Sequence, residues 1–314
     1  CSVVSSGCSA LASVFTTLLN TGDHVIGEKI SYESTEFFLK EQLPKKYNIE
    51  ASLVDMSDLD AVAAAIRPNT KLIHLEMPTN PLTNVCDLEK IAELAHAHNV
   101  LVSVDATFAS PILIFPLKHG ADLEVHSLTK YANGHGDAVG GCVLGRAELV
   151  GKIKETFPYH YGAVLSPVNA WLINRGLATL PYRMRQVNET AMKVAKYLDT
   201  NPGIRFVRYL GLESHPDHKM ATKLMEGGYS GMMCFDVKGD LETHKKFITS
   251  LKMLAYTGSL GDLETLIMRI PDWYVTEDYP DECKPEFFRL SIGLEDADDI
   301  INDIDQALKA AGLI

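Results

Sequence analysis

The chain has 314 residues, 46% of them hydrophobic, and its 29 Lys and Arg against 41 Asp and Glu leave a formal charge of −12. That acidic balance, with no basic block to interrupt it, argues against nucleic acid and anionic membrane surfaces as partners, and no apolar run approaches the roughly 18 residues of a membrane helix. Its 6 cysteines are scattered without paired spacing in a chain too large to need staples, which predicts free thiols and a reduced, cytoplasmic setting.

In chain order, Ser5, Ser6, Gly7 and Cys8 precede a predicted helix over 9–20, and a short apolar strand follows at 24–27. Strands are then expected at 50–55, 71–76, 101–106, 123–128 and 140–145, with helical spacing of apolar residues at 34–43, 58–66 and 87–98 between them. Nearly continuous apolar strands alternating with helices predict a largely parallel sheet covered on both faces. A long helical pattern over 166–198 carries Pro181 as an expected break or kink. Strands at 231–237 and 287–294 and a closing helix over 296–311, with Ile300, Ile301, Ile304 and Leu308 on one face, complete a second layer. The length exceeds what one core sustains, so two domains are expected, a large α/β domain over 1–182 and a smaller α+β domain over 183–314. The start at Cys1, with no Met and no signal-type segment, reads as an N-terminal truncation.

Parallel sheets bind ligands beyond the carboxyl ends of their strands. Glu76, Asp105 and the stretch from Ser127 to Lys130 all fall at such ends, so they converge on one crevice. The turn at Ser5–Cys8 opens a helix, where free backbone N–H groups form an anion site. A glycine pattern at 134–140 has its third glycine one position late for dinucleotide binding, and His96 and His98 are spaced for opposite faces of a helix. A metal held by Glu76, Asp105 and His126 is conceivable but leaves Lys130 idle. A lysine amine, a strand-end acid and a phosphate anchor instead match the needs of pyridoxal phosphate: Schiff-base formation, a partner for the pyridine nitrogen, and a hold on the phosphate.

The motifs SSGCSA, EMPTNP, VDATFASP, SLTKYANGHGD, GLESHPDH, SLGDLETL and FRLSIGLED, in order along nearly the whole chain, resemble the Cys/Met metabolism family of pyridoxal-phosphate enzymes. That resemblance implies the aspartate aminotransferase-type fold. It implies that Lys130 attaches the cofactor and carries protons, that Asp105 pairs with the ring nitrogen, that Asn80 bonds the phenolic oxygen, and that Gly7, Cys8, Ser127 and Thr129 cradle the phosphate. Tyr32 would stack on the ring and assist proton transfer, Arg289 would clamp the substrate α-carboxylate, and Ser259 would support the lysine. The implied activity is γ-elimination or γ-replacement on sulfur-containing or O-acylated homoserine-type amino acids, with β-lyase, methionine γ-lyase and noncatalytic variants as alternatives. The implied assembly is a homodimer or homotetramer with shared active sites, in which a tyrosine and an arginine from an N-terminal segment complete a neighbour's phosphate site. Glu33, Ser34, Gly258 and the stretch 270–285 depart from the family pattern around the distal pocket, so they bear on substrate choice.

Overall fold

The computed structural model describes residues 1–314, and its strands divide between two sheets. The first contains β1 (Ser2–Val4), β2 (His24–Glu28), β3 (Glu50–Val54), β4 (Thr70–Glu76), β5 (Leu101–Asp105), β6 (Leu123–Ser127) and β7 (Gly141–Gly145), in the order β1-β7-β6-β5-β4-β2-β3. β3, β2, β4, β5 and β6 run parallel to their neighbours, while β7 is antiparallel to both β6 and β1. Successive residues of a strand point to opposite faces. Ile26, Ile73, Leu75, Val102 and Val104 accordingly enter one core, and Val25, Leu72, Val125 and Val143 another. Apolar residues on both faces oblige the sheet to be covered twice. α1 (Gly7–Leu18) and α6 (Ala147–His160) pack in the second core. α3 (Leu59–Ala65), α4 (Leu88–Ala97) and α5 (Ser110–Leu113) pack in the first, and α2 (Glu33–Phe37) lies between β2 and β3 in the chain.

The second sheet has the order β10-β11-β12-β9-β8 and is built from β8 (Ile204–Arg208), β9 (Met232–Val237), β10 (Ala255–Tyr256), β11 (Leu266–Ile270) and β12 (Phe287–Ser291). Its pairs are antiparallel except β10 with β11. α9 (Leu241–Ser250) and α10 (Ala297–Ala311) pack on it through Phe247, Ile300, Ile304 and Leu308. α8 (His218–Leu224) returns to the first core through Ala221 and Leu224. α7 (Pro167–Thr200) serves both layers, burying Leu180 and Met184 in the first core and Ala191, Val194 and Leu198 in that of the second sheet.

The largely parallel, doubly covered sheet agrees with the sequence pattern. Two local expectations fail. α7 continues through Pro181, because Leu180 and Met184 on either side are anchored in one core, and that packing outweighs the single backbone hydrogen bond a proline forgoes. The helix expected over 34–43 is α-helical only to Phe37 and then widens into a π-helical stretch, Phe38–Tyr47, around Pro44, which has no N–H for a regular turn. Sequence reading also leaves unassigned α6, α9, β8 and β11, whose apolar residues are sparse or interrupted by charge. No helix is long and apolar enough to cross a membrane.

Candidate active site

A cavity of about 260 Å³ opens where the carboxyl ends of β4, β5 and β6 meet the N-terminus of α1 and the edge of the second sheet. β4 and β5 end in register, which sets Glu76 beside Asp105. The Thr107 N–H donates to Asp105 Oδ1 at 2.9 Å, and Thr107 Oγ1 accepts the Ser127 N–H at 2.8 Å. One loop thus fixes both the acid and the start of the lysine turn.

Lys130 interrupts the helical turn after β6 with φ −90° and ψ −138°. Arg183 of α7 holds that turn from below, donating to the carbonyls of Tyr131 at 2.8 Å and Ala132 at 3.3 Å. From above, Lys130 Nζ donates to Ser259 Oγ at 3.0 Å. The loop carrying Ser259 can come this close because Gly261 has φ +68° and lies where a Cβ would stand 2.6 Å from the Tyr131 nitrogen. Burial, with the nearby Arg289 guanidinium adding to it, lowers the Lys130 amine to about 8. The neutral amine is therefore far more populated at neutral pH than for a free lysine, about a tenth at pH 7, as a nucleophilic or basic lysine requires.

The carboxylates shift the other way. Burial raises Asp105, and burial followed by the Asp105 charge raises Glu76 to about 8. Glu76 nevertheless receives three donors: the Tyr32 N–H at 2.8 Å and the Thr35 hydroxyl at 3.0 Å on Oε1, and the Asn80 N–H at 3.1 Å on Oε2. Arg289, on β12 and only 5% exposed, donates to Asn80 Oδ1 at 2.9 Å and to the carbonyls of Gly258 and Ser259 at 2.9 and 3.1 Å. Two of its five N–H groups remain for a ligand.

Of the residues singled out in the sequence, Gly7, Cys8, Tyr32, Asn80, Asp105, Ser127, Thr129, Lys130 and Arg289 all line this one cavity, as does Gly258. Ser259 reaches it through Lys130. Ser34 is within 3.5 Å of Cys8 Sγ, which also lies 3.7 Å from the Tyr32 hydroxyl. Glu33 is exposed at the rim. In the 270–285 stretch, Tyr279 packs with Ile30 and Leu82 while Trp273 faces solvent.

The residues fit pyridoxal phosphate. Ser6 caps α1 by accepting the Ser9 N–H at 3.0 Å, and the first-turn N–H groups of Gly7 and Cys8 have no helical acceptor. A Cβ on Gly7 would stand 2.7 Å from Ser127 Cβ and 2.8 Å from its Oγ, so only glycine leaves this cradle open to a phosphate. Thr129 is less free, since its hydroxyl donates to the Gly140 carbonyl at 3.3 Å. The metal alternative is not assembled: His126 Nε2 bonds Glu124 at 2.5 Å, Glu76 is occupied by backbone and hydroxyl donors, and no group of three or more His, Cys, Asp and Glu is placed to hold an ion. His96 is exposed and also reaches Asp122 at 3.0 Å.

Sequence reasoning missed Arg183 and the part played by Thr107. A buried arginine mid-helix gives no periodic signal, whereas Thr107, two residues past a strand-end acid, sits where such turns usually bond back.

The model of the family of Cys/Met metabolism PLP-dependent enzymes matches residues 1–309. A canavanine γ-lyase of Pseudomonas canavaninivorans is 46% identical over 310 residues, covering 98% of this chain and 78% of the relative. An L-methionine γ-lyase of Fusobacterium nucleatum subsp. polymorphum is 41% identical over 313 residues, covering 97% and 78%. Among solved structures, cystathionine γ-lyase from Lactobacillus plantarum complexed with L-serine superposes with a TM-score of 0.91 at 35% identity, covering 99% of this chain and 82% of that one.

Proposed function

The chain belongs to the family of Cys/Met metabolism PLP-dependent enzymes, and from that premise we propose that its cavity carries out γ-elimination or γ-replacement on homoserine-type amino acids bearing a sulfur or oxygen substituent at the γ-carbon. The observation that carries this reading is the meeting of Lys130, its amine lowered to about 8, with Asp105 and Arg289 in one cavity.

The N–H groups of Gly7 and Cys8 with the Ser127 hydroxyl would hold the cofactor's phosphate, Asp105 its ring nitrogen, and the free Nδ2 of Asn80 its phenolic oxygen. When bound, pyridoxal phosphate supplies an electron sink that acidifies the α- and β-carbons of an amino acid. Arg289 holds the α-carboxylate through its remaining Nε–H and Nη1–H groups by charge-assisted hydrogen bonds. That clamp fixes the α-carbon hydrogen relative to Lys130, whose neutral amine takes the proton and can return it to a neighbouring carbon. The Tyr32 hydroxyl, raised in pKa by burial, stays protonated at neutral pH and can donate to a departing γ-substituent.

A cationic distal group on the substrate is the more specific reading. Glu33 is exposed next to Tyr32, close enough for its charge to add to the raised Tyr32 and Tyr274 hydroxyls, and Gly258 puts no side chain into the cavity. Canavanine γ-lyase relatives act on such a compound by name. The assay offers canavanine, cystathionine, methionine and O-acetylhomoserine separately, with and without thiol. α-Ketobutyrate from any of them, homoserine from canavanine, or a new thioether supports γ chemistry, with canavanine or cystathionine favoured. Pyruvate with homocysteine from cystathionine would show β-elimination and defeat the reading.

The proposed assembly is a homodimer or homotetramer. Tyr159, Tyr161, Val164, Val168, Trp171 and Tyr182 are each more than half exposed along the end of α6 and the first half of α7, apolar exposure typical of a subunit face. Six free cysteines suit a reducing, cytoplasmic setting.

A further inference from the structure

We infer that Glu76 is a positioning residue that aligns the carboxylate clamp: by holding the Asn80 backbone on one oxygen and the Tyr32 segment on the other, it fixes where Asn80 presents Oδ1 to Arg289. The inference rests on reading Arg289 as the clamp.

The hydrogen bonds form one connected path. Tyr32 N–H and Thr35 Oγ1 meet Glu76 Oε1, Asn80 N–H meets Oε2, Arg289 meets Asn80 Oδ1 and the Ser259 carbonyl, and Lys130 meets Ser259 Oγ. Two loops that carry site residues, one before α2 and one after β4, therefore have Glu76 as their common anchor. Glu76 is 5% exposed and forms no ion pair, so its acceptor capacity is directed to these donors. An anchor needed only for folding could equally be built from backbone pairing. Here it is a side chain at the very end of β4, in register with Asp105 and exposed to the cavity wall.

The chemistry predicts an asymmetric variant. In Glu76→Gln the amide keeps one acceptor oxygen, and because the Thr35 hydroxyl can donate or accept, that oxygen can satisfy either the Tyr32 N–H or the Asn80 N–H but not both. Losing either bond corresponds to about tenfold in an equilibrium. In the holoenzyme, hydrogen exchange should quicken about tenfold at the Asn80 or the Tyr32 amide, whichever faces the new amide nitrogen, and where Asn80 is the one released the clamp loses its alignment. The substrate KM should then rise about tenfold while kcat stays within about threefold, the pattern of lost binding rather than lost chemistry. Glu76→Ala, lacking both oxygens, should quicken both amides. Unchanged exchange at Asn80 in Glu76→Ala, or quickened exchange there with unchanged KM, overturns the inference. A separate Arg289→Lys variant tests the reading beneath it: unchanged KM there means Arg289 is no clamp, whatever Glu76 does.

Discussion

Glu28 and Glu76 are both buried carboxylates at strand ends, yet their surroundings differ sharply. Glu76 is met by three donors, whereas Glu28 receives the Lys29 N–H at 3.1 Å while the Lys29 ammonium pairs instead with Asp55 at 3.1 Å. Burial, with Asp55 adding to it, raises Glu28 to about 8. A folded-state value above the unfolded one means that the native chain binds the extra proton, so stability falls as pH rises from about 4.5 to about 8. Glu28→Gln removes that loss. Its unfolding free energy should exceed that of the parent by on the order of 2 kcal/mol at pH 8 and match it near pH 4, read by urea titration at both. A gap that is the same at both pH values would mean that charge is not the cause. At this scale the sequence reveals chemistry better than environment. Lys130 among hydroxyls and Asp105 at a strand end were legible, but the donors that distinguish Glu76 from Glu28 come from segments far apart in the chain.

The N-terminus of α1 concentrates the claim about the phosphate into one element. Ser6 is legible as its cap from residue type alone, and Gly7 from the SSGCSA motif, but the reason for glycine is visible only where α1 crosses Ser127. Gly7→Ala should leave the fold intact and weaken pyridoxal phosphate binding by about tenfold or more, measured by equilibrium dialysis of the stripped protein. Affinity equal to the parent's would place the phosphate elsewhere. Strands β2, β4, β5 and β6 were readable because buried parallel strands are nearly continuous apolar runs, and β3 and β7 as short apolar runs bounded by turn residues. β8 and β11 were not, since Arg205, Arg208 and Arg269 interrupt their pattern with charges that find partners only across the fold, at Asp236, Glu282 and Glu286. α7 misled for the opposite reason: a local rule about Pro181 lost to packing on both sides of it.

On the scale of the whole molecule, the exposed aromatic face of α6 and α7 sits beside the site rather than remote from it. Asn169 of α7 donates to the Val139 carbonyl at 2.9 Å, and Val139 lines the cavity. A charge placed on that face should therefore disturb assembly and cofactor retention together. Trp171→Glu with Tyr182→Glu should sediment at the mass of a single chain and release pyridoxal phosphate more readily than the parent, whereas an unchanged sedimentation profile would assign assembly to another surface. The central claim is that this cavity binds the cofactor through Lys130. Its most direct test is borohydride reduction of the protein loaded with pyridoxal phosphate, followed by peptide mass mapping. The account predicts the reduced cofactor on the peptide containing Lys130, and none on any lysine after Lys130→Ala. A stable modification at another lysine, with Lys130 unmodified, would contradict it.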